Sequence, residues 1–212
     1  MNIILDPWFY ACAIPAVVLL GVSKSGFGVG FGALAVPLMA LSISVPQAAA
    51  VMMPLLLVMD LLGLRVFRKD VDKAWLKFML PYGVLGTLIG TLLFGLMSTS
   101  VVSGWVGFFT LLFLAQRLLF PPKVDSPPPP AWIGRILVTL SGFTSFIAHA
   151  GGPPMNAYAI PLKHKPIVFA ATLSYFFFFI NLSKWIPYAY LGLLDMRNLW
   201  TSLVLIPMAC LG

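Results

Sequence analysis

The sequence predicts an all-α integral membrane protein: a polytopic helical bundle of two repeated halves, each containing a glycine- or proline-broken or re-entrant helix. Three observations carry that prediction. Apolar residues make up 60% of the 212-residue chain and charged residues 9%, which leaves too little polar surface to cover a soluble globule. The charges gather in short stretches such as "RVFRKDVDKAWLK" (65–77), and the intervals between them, about 17 to 22 residues, are long enough to cross hydrocarbon as helices. The alternating dyad of a barrel strand is missing, and runs such as "VLGTLIGTLLFGLM" are apolar on every face, as a lipid-embedded bundle requires.

In chain order the expected spans are 8–22, 27–42, 47–64, 78–97, 100–116, 132–148, 153–162, 166–183 or somewhat beyond, and 198–212. The N-terminus "MNIILDPW" lacks a basic n-region and carries Asp6, so the first apolar run reads as a retained span rather than a cleaved signal. Segment 27–42 is short and glycine-rich, and 153–162 is shorter still. Between the halves "PPKVDSPPPPA" (121–131) is too rich in proline to be helical and reads as an extended linker. Cys12 and Cys210 fall inside apolar runs and read as packing residues; two cysteines without histidine or carboxylate neighbours make no metal site.

The two halves match weakly but in order. "SGF" (25–27) answers "SGF" (141–143), "ALAVPL" (33–38) answers "AYAIPL" (157–162), Asp60 falls opposite Asn181, and "PYGVLG" (81–86) answers "PMACLG" (207–212). An internal duplication explains that shared order. The expected division is a first repeat over 1–118, a linker over 119–131 and a second repeat over 132–212. The second repeat reads as truncated, short of its partner by about 30 to 40 residues.

The net charge of +7 does not point to nucleic acid, because the basic residues flank apolar spans, where the positive-inside bias accounts for them. Arg65, Arg68, Lys69, Lys73 and Lys77 form the strongest basic cluster, so loop 65–77 is expected to be cytoplasmic. The linker, flanked by Arg117, Lys123 and Arg135, returns to that side. If 27–42 and its counterpart cross fully, the halves are inverted and "KHK" (163–165) lies inside as well; if they are re-entrant, the halves are parallel.

Two breaks carry the functional expectation. "KSGFGVGFG" (24–32) sets Gly26, Gly28, Gly30 and Gly32 at alternate positions, each costing a helix up to about 1 kcal/mol relative to Ala. "HAGGPPMN" (149–156) loosens the chain at Gly151 and Gly152 and removes two backbone donors at Pro153 and Pro154. Unwound backbone at membrane depth is tolerated only where it is buried in protein or lines a cavity, and paired breaks in two halves mark the midplane site of a secondary transporter. A helix restarting after each break offers free N–H groups and a positive dipole end, which suit a small oxyanion. Close helix packing is the competing explanation for such glycines.

The candidate substrate-binding residues are Lys24, Ser25, Gly26, Gly28, Gly30, Gly32, His149, Gly151, Gly152, Asn156 and Asn181. Lys24 is either an anion ligand or a residue snorkelling to the headgroups. Asp60 and His149 are the candidates for ion coupling. Asp60 either couples or pairs with Arg65 or Arg68 nearby; His149 either carries a proton or bonds a carbonyl freed by the break. Lys184, beside Trp185 and Tyr188, reads as an interfacial anchor. No catalytic set, no metal site and no cofactor is expected, and without a "GxxxxGK[ST]" loop the energy source is an ion or substrate gradient.

"GVSKSGFGVGFGALAVPLMAL", "PQAAAVMMPLLLVMDLLGLRVFRKDVD", "FTSFIAHAGGPPMNAYAIPLK" and "TLSYFFFFINLSKWIPYAYLGLLD" together resemble the TauE/SafE family of membrane permeases, the sulfite/sulfonate exporter family. The resemblance covers nearly the whole chain. It implies a bacterial inner-membrane transporter of two related four-span halves that moves sulfite, sulfonates, sulfoacetate or similar anions. The family's motif positions correspond here to Lys24, Ser25, Gly26, Gly28, Gly30 and Gly32, and to His149, Gly151, Gly152, Pro153, Pro154 and Asn156. The expected partners are a small anionic substrate, the lipid bilayer and a coupled H+ or Na+. A homo-oligomer is compatible with the pattern. An anion channel of the same architecture is the alternative, and an intramembrane enzyme a more distant one.

Overall fold

A computed structural model describes residues 3–24, 31–119 and 127–211, without the side chains of Arg117 and Cys210. Ser25, Gly26, Gly28, Gly30 and most of the proline-rich linker lie outside the described residues. The described chain is helical throughout, with no strand: α1 Pro7–Lys24, α2 Ala35–Met39, α3 Val45–Phe67, α4 Lys73–Leu96, α5 Thr99–Leu119, α6 Ala131–Ala148, α7 Gly152–Ala159, α8 Pro166–Tyr190 and α9 Met196–Leu211. A 3-10 turn over Phe31–Leu34 leads into α2, and another over Ile160–Leu162 follows α7. Among the described residues α1, α3, α4, α5, α6 and α8 are long and apolar enough to cross a bilayer. At 1.5 Å per residue α7 covers only about 12 Å and does not cross by itself.

Local chemistry sets the boundaries. Ser44 Oγ caps α3 by accepting from Gln47 N. Asp72 caps α4, accepting from Ala74 N and Trp75 N at 3.0 Å, which starts that helix at Lys73, earlier than hydropathy predicts. In α8 the charge of Lys184 does not mark an end; the helix runs on to Tyr190.

The packing places α4 against α6 at near backbone contact. A Cβ on Gly142 would overlap the Gly83 carbonyl, and one on Gly86 the Thr139 carbonyl, so these glycines let the helices approach as small residues do in membrane interfaces. Helix α3 crosses the middle, touching α8 and α9 along its length.

Two hairpins enter this frame from opposite ends. At one end Trp8 Nε1, at the start of α1, donates to Leu41 O just beyond α2, so the chain from α1 through α2 returns to the end where it began. The start of α3 is there too, joined to α9 by Gln47 and Asn198. At the other end Tyr158 of α7 packs on Gly134 near the start of α6, so α6 and α7 form a hairpin open toward the basic loop. Trp75 stacks on His164 there, 4.2 Å between ring centres, which puts loop 65–77 and the "KHK" segment on one face of the bundle.

Candidate functional site

The tip of the α6–α7 hairpin is built so that its backbone is satisfied at depth. His149 takes the left-handed conformation (φ 53°), and the N–H groups of His149 and Ala150 donate back to Ser145 O and Thr144 O. The carbonyls turned out by the reversal are met by hydroxyls of α6: Thr144 Oγ1 donates to Ala150 O at 3.0 Å and Ser141 Oγ to Gly151 O at 2.7 Å. Pro153 and Pro154 then sit in the first turn of α7, where a missing N–H costs least.

Between this tip and the end of α1 lies a cavity of about 660 Å³, within the range of small-molecule sites. Both hairpins contribute to its wall: Ser23, Lys24, Gly32 and Ala33 from the first, Ser145, His149, Gly152 and Asn156 from the second. Helices α3 and α8 supply Asp60, Gly63, Ser174 and Asn181. The lining continues to Phe67 and Pro166 at the ends of α3 and α8, so the cavity reaches the face that carries the basic loop.

On that wall Lys24 Nζ forms an ion pair with Asp60 Oδ1, and Asn181 Nδ2 donates to the other oxygen, Asp60 Oδ2, at 2.6 Å. Asp60 is 2% exposed, whereas the Lys24 side chain is 24% exposed. Neither residue follows its sequence neighbours. Asp60 pairs with Lys24, not with Arg65 or Arg68, because α1 runs beside α3 and ends at its level. Lys24 spends its charge on that carboxylate instead of reaching for headgroups.

A second cluster closes the opposite end of the cavity. Lys184 is fully buried, and its Nζ donates to Ser145 O (2.8 Å), Ser145 Oγ (2.9 Å) and His149 Nδ1 (3.0 Å). With Nδ1 accepting, the ring proton belongs on Nε2, which then donates to Ala49 O at 2.9 Å. Tyr188 OH donates to Phe146 O at 2.7 Å beside it. Lys184 is therefore an interior brace, and the reading of it as an interfacial anchor is overturned by its zero exposure.

Of the residues singled out from sequence, Lys24, Gly32, Asp60, His149, Gly152, Asn156 and Asn181 come together on one cavity wall. Gly151 does not line it: a Cβ there would press on Ser141 O, Phe177 and Ser145, so its need is packing. Both nitrogens of His149 are occupied by Lys184 and Ala49. Ser145 escaped the sequence reading and Lys184 was placed at an interface, although Ser141, Thr144, Ser145 and His149 recur at helical spacing just before the break.

Residues 13–212 match the profile of the family described as Sulfite exporter TauE/SafE. The chain belongs to the TauE/SafE family. Membership makes it a membrane transporter of the sulfur-anion exporter class, and for a TauE/SafE protein a cavity wall holding a lysine and two asparagines is chemically apt. No match is found among curated proteins or among solved structures.

Proposed function

We propose that this TauE/SafE protein is a secondary permease of the bacterial inner membrane for small sulfur-containing oxyanions such as sulfite, sulfonates or sulfoacetate. The observation that carries the reading is the shared cavity, where Lys24, Asn156 and Asn181 converge from two hairpins and α8. An ammonium and two carboxamides are donors of the kind an oxyanion accepts from, and the apolar surround strengthens each contact. The chain from α1 through α2 returns to the end where it began, and an odd number of long helices, α3, α4 and α5, precedes the α6–α7 hairpin. Hairpins at opposite ends therefore agree with inverted repeats, 1–118 and 132–212, rather than with the parallel halves expected of re-entrant segments, and thus with alternating access. The basic loop 65–77 is cytoplasmic on this reading, so the cavity faces the cytoplasm and the Lys184 cluster closes the outer end.

The test is counterflow into proteoliposomes with labelled sulfite, sulfoacetate and taurine. A permease accelerates uptake when unlabelled substrate is trapped inside and saturates with concentration. Conductance without trans-acceleration would replace the permease by a channel, and no flux of any of the anions would remove the transport reading.

A further inference from the structure

Asp60 holds both of its oxygens against groups that a substrate oxyanion also needs. Lys24 Nζ lies on Oδ1 and Asn181 Nδ2 on Oδ2, and both donors line the cavity. The carboxylate is in effect a tethered anion already seated in the site. An incoming oxyanion that adds to this arrangement places a second negative charge beside Asp60 in an apolar surround, where like charges in contact strongly oppose each other. Neutralising Asp60 removes that repulsion and frees the ammonium and the amide together.

We infer that Asp60 is a proton-binding site that couples the anion to one proton, taking up H+ as it releases Lys24 and Asn181 to the substrate. This rests on the anion-transport reading above. The balance is simple: the Asp60 carboxylate plus H+ becomes a carboxylic acid, Lys24 stays an ammonium, and the oxyanion replaces the carboxylate as its partner. Among the described residues Lys24 from α1 touches Asp60, Lys184 follows the Asp60 partner Asn181 by three residues on α8, and His149 at the α6–α7 turn accepts from Lys184. Helix α2 has no titratable residue, and Arg197 of α9 lies beside the start of α3, next to the Asn198 that meets Gln47. On α3 itself Arg65 is exposed beyond the next turn. His149 is the less suitable proton carrier, because Lys184 and Ala49 occupy its two nitrogens.

The sign follows from linkage. If the anion-bound state holds one more proton than the free state, anion affinity rises as pH falls, by up to about tenfold per pH unit. The experiment uses the full chain in two settings. In detergent, titration calorimetry with sulfoacetate, taurine and sulfite in buffers of different ionisation enthalpy counts protons taken up per anion bound, after correction for each anion's own titration. In proteoliposomes, an internal pH dye follows counterflow and net uptake. One proton per anion is expected for the wild type, and Asp60→Asn should bind with an affinity that no longer varies with pH and take up no proton. Zero protons per anion in the wild type, or proton uptake that persists in Asp60→Asn, overturns the coupling role while leaving a permease with intact counterflow. Absence of counterflow for every anion sinks the transport reading beneath it. Where Asp60→Asn fails to fold, Asp60→Glu, which keeps a carboxyl group, should retain one proton per anion with the pH midpoint of anion affinity displaced; a midpoint that does not move overturns the role of Asp60.

Discussion

The bundle sets two lysines near one cavity and satisfies them in opposite ways. Lys24 meets a carboxylate and remains partly exposed on the wall; Lys184 is sealed, with each of its donors on a neutral acceptor of the α6–α7 turn. A pair held mainly by opposite charge can be exchanged, because another anion satisfies the same ammonium. A lysine whose donors are all taken by a carbonyl, a hydroxyl and an imidazole fixes the positions of those groups instead. Asn181 and Lys184 lie three residues apart on α8, so one helical face serves both purposes.

Lys184→Met should separate the two most sharply. It removes the donors to Ser145 Oγ and His149 Nδ1 and leaves those buried acceptors unpaired, a loss of about 2 to 4 kcal/mol. The expected outcome is a lower unfolding temperature in detergent together with loss of counterflow. A variant that melts like the wild type would show that the α6–α7 turn holds without its brace. Lys24→Gln, by contrast, keeps a hydrogen bond to Asp60 but removes the charge offered to substrate. Anion affinity should fall about 10- to 100-fold, or about 1.4 kcal/mol per factor of ten. Unchanged affinity by calorimetry would take Lys24 out of the site.

These contrasts explain which parts of the molecule were legible in the sequence. Spans are a one-dimensional property, so hydropathy located the six long helices among the described residues, whereas the described part of 27–42 and segment 153–162, also expected as spans, hold only the short α2 and α7. The turn at His149–Gly152 was visible because Gly and Pro act on their own backbone. Partnership of buried charges is a property of packing. The partners that sequence distance offers Asp60, if it pairs at all, are Arg65 and Arg68, five and eight residues away, yet its ion-pair partner is 36 residues off. Lys184 looked like the end of a span, since a lysine beside Trp185 is ordinarily at an interface; its acceptors lie 39 and 35 residues away in sequence. The hydroxyls that heal the turn, Ser141 and Thr144, gave no signal stronger than helical spacing.

A milder probe of the brace is Ser145→Ala. One Lys184 donor loses its hydroxyl acceptor while Ser145 O and His149 Nδ1 stay in place, so a loss of about 1.5 kcal/mol is expected, the low end for a hydrogen bond to a charged group. Equilibrium unfolding against the Lys184→Met variant would read it. A loss as large as that of Lys184→Met would mean that the hydroxyl, rather than the carbonyl or the imidazole, is the chief acceptor.

The smallest effect is expected from Tyr188→Phe, and its size discriminates between two views of the sealed end. Interhelical hydrogen bonds in membrane proteins average about 0.6 kcal/mol, because the reference state also finds partners. Phe146 O is less free to do so. It lies in the last turn of α6, where the N–H of Ala150, four residues on, has turned back to Thr144 O instead, so Tyr188 OH is the donor that meets this orphan carbonyl. The ring itself should stay, since Phe keeps the edge contact with Phe146 at 5.2 Å between centres. The loss should therefore exceed the average and reach about 1 kcal/mol, the low end for a buried carbonyl left without a partner. A value near 0.6 kcal/mol, or none, would mean that the end of α6 finds another donor when the hydroxyl is removed, and that Lys184 and His149 hold the outer end of the cavity without Tyr188.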